Sequence, residues 1–143
     1  MREKAIEKVF EKIKSIMIDR YQGDSFLIEK IIDIDFRHCV KAERDHHRDL
    51  RIYMHIGCED LTICTSSSIN LLSLENLQGL FCHEIGHIIH TQLPDIFESI
   101  ADNDEIEILN DIGDPEIIAD CIIDRLFDIH IYYDHKKVQW TML

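Results

Sequence analysis

The sequence predicts an α+β fold, with a small sheet of about three strands packed against helices. Three observations predict it. Helical periodicity runs through residues 2–20 and 74–92. Short period-two runs occupy 32–36, 50–56 and 61–65. Asp114-Pro115 opens a further helix that reaches about Phe127. The chain has 143 residues, enough for one ordinary core and too few for two, so 1–143 is expected to be a single domain.

In residues 2–20, Ile6, Val9, Phe10, Ile13, Ile16 and Met17 recur at helical spacing, and Lys and Glu fill the other face. That pattern predicts a helix laid over a core. Gln22-Gly23-Asp24-Ser25 breaks it and can cap a short second helix over 26–31. Ile32-Asp33-Ile34-Asp35-Phe36 alternates as a half-buried strand does. Residues 41–49 are polar except Ala42 and read as a solvated loop. Leu50, Ile52, Met54 and Ile56 alternate with Arg51, Tyr53 and His55 in a second strand. Gly57–Asp60 is a turn and Leu61–Thr65 a third strand, so the last two predict an antiparallel hairpin.

Ser73 can cap a long helix over 74–92, with Glu75 in its first turn and Pro94 limiting its end. Residues 95–114 are acidic and weakly patterned, and read as a loop with a helical turn. Pro115 at a first helical position favours the helix that follows. The tail from Asp128 is mixed and holds the only tryptophan, Trp140.

Fifteen Lys and Arg stand against 28 Asp and Glu, a formal net charge of −13. Such a chain repels a phosphate backbone, which argues against direct nucleic-acid binding and favours a basic protein or peptide partner. No apolar run reaches the ~18 residues of a membrane span. Charges recur through Arg20, so no secretory apolar segment is expected there. Five cysteines (Cys39, Cys58, Cys64, Cys82 and Cys121) are an odd number without CxxC spacing. They read as thiols, not as a disulfide framework, and favour a cytoplasmic location.

Residues 83–87 read His-Glu-Ile-Gly-His. On a helix, His83 and His87 lie one turn apart on one face and can reach one ion. Glu84 flanks that ion and can take a proton from water there. Composition alone produces HExxH in about 5% of such chains, so context decides its weight. The helix is predicted independently, by the apolar stripe Leu74, Leu77, Phe81, Ile85 and Ile88. A third ligand is available in Glu116, within Glu116-Ile117-Ile118-Ala119-Asp120. Asp120, four residues on, can accept the spare N–H of an imidazole and orient it. Ala119 between them is small enough for close helix packing. Residues 61–65 are expected to form a sheet edge on which an extended peptide could pair.

HEIGH followed by ExxAD resembles the gluzincin metallopeptidases, and more closely the ImmA/IrrE family of small bacterial and phage metallopeptidases. The matching stretches are Ile63–Asn70, Leu80–His90 and Glu116–Asp120. Cys82 stands where that family usually has Ala, Ile118 replaces the second acidic residue of its ExEA motif, and no clear Phe-Ala follows. The resemblance implies a minimal zincin-like domain: the sheet, the HExxH helix, an N-terminal helix and a C-terminal helix that carries the Glu ligand. It implies Zn2+ held by His83, His87 and Glu116, with Glu84 as catalytic base. It also implies site-specific cleavage of a regulatory protein, of the kind of a basic DNA-binding repressor, on a phage or mobile element.

His90, seven residues after His83, shares the metal face at nearly two turns' distance and is a candidate for the surroundings of the site. Tyr53, His55, His130, Tyr132, Tyr133 and His135 are candidates to stabilise a developing oxyanion. His46 and His47 read as solvated. Cys64, Cys82 and Cys121 read as core thiols. The alternative function is a catalytically weak or inactive zincin-fold binding or regulatory module of a phage or mobile element. A deaminase is disfavoured because no PCxxC is present.

Overall fold

The structure, a computed structural model, describes residues 2–38, 54–56, 61–100, 102–134 and 139–142. Among them the helices are α1 (Arg2–Arg20), α2 (Ser25–Ile32), α3 (Leu74–Gln92), α4 (Pro94–Ile100), α5 (Asn103–Ile112) and α6 (Pro115–Phe127). The strands are β1 (Asp35–His38), β2 (Met54–Ile56), β3 (Thr62–Thr65), β4 (Ile131–Asp134) and β5 (Gln139–Met142), and a 3₁₀ turn spans Ser67–Leu71. The architecture is α+β, as expected, and mostly helical. The polar loop 41–49 and the turn 57–60 lie outside the described residues.

α3 is the axis of the fold. Ser73 caps it by accepting from the Asn76 N–H at 3.0 Å. From Gly79 to Ile89 every residue is buried. A helix buried all round must be walled on every side, and α1, α6, β2 and the β4–β5 hairpin supply those walls. Leu77, Phe81, Ile85 and Ile88 of the expected stripe are buried, whereas Leu74 at its start is exposed.

α1 buries Ile6, Val9, Phe10, Ile13 and Met17 against this axis. Phe10 meets Phe36 and Phe81 edge to face, at centroid distances of 5.1 and 5.0 Å. Such pairs add about 0.5–1.5 kcal/mol each beyond the area they bury. Lys14 departs from the polar face expected of α1. It is buried, and its Nζ donates to the carbonyls of Ile32 at 2.9 Å and Ile34 at 2.8 Å. The ammonium thereby ties the end of α2 to the entry of β1.

That tie also explains where β1 begins. The alternation at 32–36 is shared by two elements: Ile32 completes α2, and the strand starts at Asp35. β3 lies in the middle of the first sheet, parallel to β1 (Phe36 opposite Ile63) and antiparallel to β2 (His55 opposite Cys64). The expected hairpin is present. The expectation that 61–65 is a sheet edge is corrected, because strands pair with β3 on both sides. Among the described strands β1 and β2 lie outermost, and β2 packs on α3.

Residues 95–114 form two helices where a loop was expected. Asp102 caps α5 by accepting from the Glu105 N–H at 2.8 Å, and Gly113 ends it at φ 70°, a left-handed geometry that glycine adopts without strain. The tail from Ile131 is an antiparallel hairpin with Tyr133 opposite Trp140. Cys82 and Cys121 are thiols, and burial pushes Cys82 up to about 12. Cys64 corrects the thiol reading, since it is disulfide-bonded. Cys39 and Cys58 lie outside the described residues.

Candidate metal centre

The centre is built where α3 crosses α6. Gly86 makes the crossing possible. A Cβ placed on it would sit 2.3 Å from the carbonyl oxygen of Ala119, so only a residue without a side chain fits. Ala119 is fully buried at that contact. Asp114 caps α6 by accepting from the Glu116 N–H at 3.0 Å, and Pro115 occupies its first turn. This cap fixes the start of α6 and with it the position of Glu116, one residue inside. Asp120 follows one turn later on the same face.

His83 Nε2 and His87 Nε2 are 3.0 Å apart. Glu116 Oε2 lies 2.5 Å from the first and 3.3 Å from the second. His83 Nδ1 lies 2.6 Å from Asp120 Oδ1, which selects the tautomer that turns the Nε2 lone pair toward the other donors. His83, Glu84 and His87 are all buried, and each offers a ligand atom within 4.8 Å of the others'. This group could hold a metal ion. The Glu116 side chain is 64% exposed, so the cluster opens to solvent on that side.

The donor chemistry suits zinc. Zn–N and Zn–O bonds of about 2.0–2.1 Å in a tetrahedron put neighbouring donors about 3.3 Å apart. The edges between His83, His87 and Glu116 run from 2.5 to 3.3 Å. Among the described residues no group of three such side chains occurs away from this site.

The electrostatics carry the same message. Burial disfavours the charge on His83, but its hydrogen bonds to Asp120 and Glu116 outweigh that and push it up to about 9. Burial pushes Glu84 up to about 7, against the pull of the two imidazoles. The hydrogen bonds of both imidazoles hold Glu116 well below the ordinary carboxylate range. Three carboxylates around two imidazoles leave an excess of negative charge that a cation or a proton must balance.

A pH dependence of stability follows for the metal-free protein. Both raised groups contribute stability that is lost as pH rises: Glu84 from 4.5 through about 7, His83 from 6.5 through about 9. Glu116 acts oppositely, since its contribution is lost only on acidification below 4.5. Melting of chelated protein is therefore expected to be highest near pH 4.5, where these opposing contributions meet, and to fall by several degrees toward pH 9. A flat profile over that span would contradict the assignment.

The remaining candidates are distributed as follows. His90 is half-buried on α3, and its Nδ1 is buried without a hydrogen-bond partner among the described residues, so it joins none of the contacts above. His130 is exposed beyond α6, where Nδ1 pairs with Asp124 and Nε2 lies 3.5 Å from Asp128. Tyr53, His46, His47 and His135 lie outside the described residues, as do the side chains of His55, Tyr132 and Tyr133. Sequence reasoning missed Gly86. A glycine inside a helix, costing about 1 kcal/mol against alanine, was the available signal. No helix among the described residues is long and apolar enough to cross a membrane. No protein-family model, curated protein or solved structure matches the chain.

Proposed function

We propose that the protein is a zinc-dependent metallopeptidase of the minimal gluzincin type, akin to the ImmA/IrrE family, acting on a basic regulatory protein. The observation that carries this reading is the convergence of His83 Nε2, His87 Nε2 and Glu116 Oε2 within 3.3 Å of one another on a side open to solvent. A closed structural site would surround its ion with four protein ligands, whereas a catalytic one keeps a position free.

In this reading His83, His87 and Glu116 hold the metal and Asp120 orients His83. A zinc ion bound there supplies Lewis-acid polarisation of a carbonyl and acidifies water. Glu84, buried beside the imidazoles and titrating near neutrality, takes the proton of the attacking water and delivers it to the departing amine. A peptide can reach this point by pairing with β2, which is outermost among the described strands and packs on α3.

The test is metal content by elemental analysis, on wild type beside His87→Ala and Glu116→Ala. About one zinc per chain is expected in wild type, and a strong loss in both variants. Wild type that stays metal-free after reconstitution with zinc would overturn the proposal.

A further inference from the structure

All fifteen Lys and Arg lie outside residues 52–124, so the part of the chain that bears the metal centre carries no such cation. Within it, 94–117 holds nine Asp and Glu. Three large apolar side chains stand exposed in this acidic stretch: Ile108 at 55%, Ile112 at 41% and Ile117 at 48%. Their placement on the helices gives this a direction. The inward side of α5 is marked by Leu109, which is buried, with Ile106 half-buried beside it. On the helix, Ile112 and Ile108 continue that stripe around one flank, so the apolar arc of α5 is wider than the part the fold covers. A stripe wider than its own core needs is an unpartnered face.

Arg125 Nη1 donates to Glu105 Oε1 at 2.8 Å, which sets the start of α5 beside the end of α6. The two helices therefore run antiparallel, and Ile112 and Ile117 share the end at which they turn. Glu116 is at that same end. Asp104, Glu107 and Asp111 on α5 are exposed and pair with no cation among the described residues.

We propose that this flank, Ile108, Ile112 and Ile117 bordered by Asp104, Glu107 and Asp111, docks a cationic amphipathic helix of a partner protein at the end of α6 that carries Glu116. Charge complementarity selects the occupant. A second copy of this chain would set like charges against each other, and an anionic membrane would be repelled. A partner helix with apolar residues one turn apart fits the Ile108–Ile112 spacing, and Lys or Arg on its borders meets the carboxylates. The inference deepens the metallopeptidase reading, on which alone the partner's role as substrate rests.

The test uses the full chain, loaded with zinc, and an 18-residue Leu/Lys amphipathic helix as probe, with a Leu/Glu helix of the same pattern as control. Binding is read by fluorescence anisotropy at two salt concentrations. The Leu/Lys helix is expected to bind, more weakly at high salt, and the Leu/Glu helix is not. Glu107→Lys with Asp111→Lys, and separately Ile108→Ser with Ile112→Ser, are each expected to weaken binding about tenfold or more. Both pairs are exposed, and unchanged zinc content and melting in these variants check that the fold and the metal centre are intact. No binding of the Leu/Lys helix overturns the proposal. So does a loss confined to the charge variant, which would mark unspecific attraction, or self-association that Ile108→Ser with Ile112→Ser abolishes. A chain that binds the probe here but takes up no zinc would retain the docking face and overturn the metallopeptidase reading alone.

Discussion

Gly86→Ala is expected to disable the metal centre without touching any residue that would hold the metal. The new methyl group would sit 2.3 Å from the Ala119 carbonyl oxygen, where ordinary contact begins near 3.4 Å. α3 and α6 must then separate by about 1 Å, and overpacking of that kind costs about 1–3 kcal/mol. The separation acts directly on the site. Glu116 and Asp120 ride on α6, and their contacts to the α3 imidazoles lie between 2.5 and 3.3 Å. Misplacing an orienting or ligating group typically lowers metal affinity about 10–100-fold. Zinc titration and thermal melts of the variant check both effects. Two further variants sharpen the test. Gly23→Ala has open space around it and is expected to be near neutral. Adding Ala119→Gly to Gly86→Ala is expected to give no rescue, because the obstacle is a backbone oxygen. Rescue by that second change would show that the close approach has been misassigned.

On the proposed metallopeptidase reading, Glu84→Gln is expected to separate metal binding from catalysis. The side chain is buried and lies next to both imidazoles, yet Glu116 Oε2 is the carboxylate oxygen in direct contact with them. Replacing the acid by its amide keeps shape and burial, so zinc content should stay at the wild-type level. What is removed is, among the described residues, the one buried carboxylate beside the site able to accept and return a proton, and such groups contribute about 10²–10⁴-fold in rate. Peptide bonds that the wild type cleaves in a proteome-derived peptide mixture should survive incubation with the variant. Stability offers a readout that needs no substrate. Burial pushes Glu84 up to about 7, so ionising it destabilises the metal-free fold as pH rises from 4.5 through that value. Glutamine cannot ionise, and the variant should lose that part of the pH profile while keeping the part due to His83. Cleavage at the wild-type rate would remove Glu84 from the mechanism.

Much of the site was legible in the primary structure because helix geometry is local. His83 and His87 are four residues apart, and any α-helix puts that pair on one face. Asp114 and Pro115 mark the start of α6, so Glu116 and Asp120 could be placed on a common face from spacing alone. α5 was legible in principle as well: Asp102 and Glu105 stand at capping-box spacing and Gly113 stops the helix, but nine acidic residues masked the pattern. The β4–β5 hairpin carried a weaker signal, since its strands are short and mixed in polarity.

Local rules determined which residues stand on which face of which helix, and therefore which side chains are able to meet. The tertiary structure alone decided that they do meet, through the backbone approach at Gly86 and Ala119 that no spacing rule contains. It alone decided that β3 has strands on both sides, because pairing partners are distant in sequence and alternation is the same in a central and an outer strand. It also made Lys14 a buried tie between elements and joined Cys64 in a disulfide. Periodicity reports the face a residue occupies; what lies opposite that face is settled only when the chain packs.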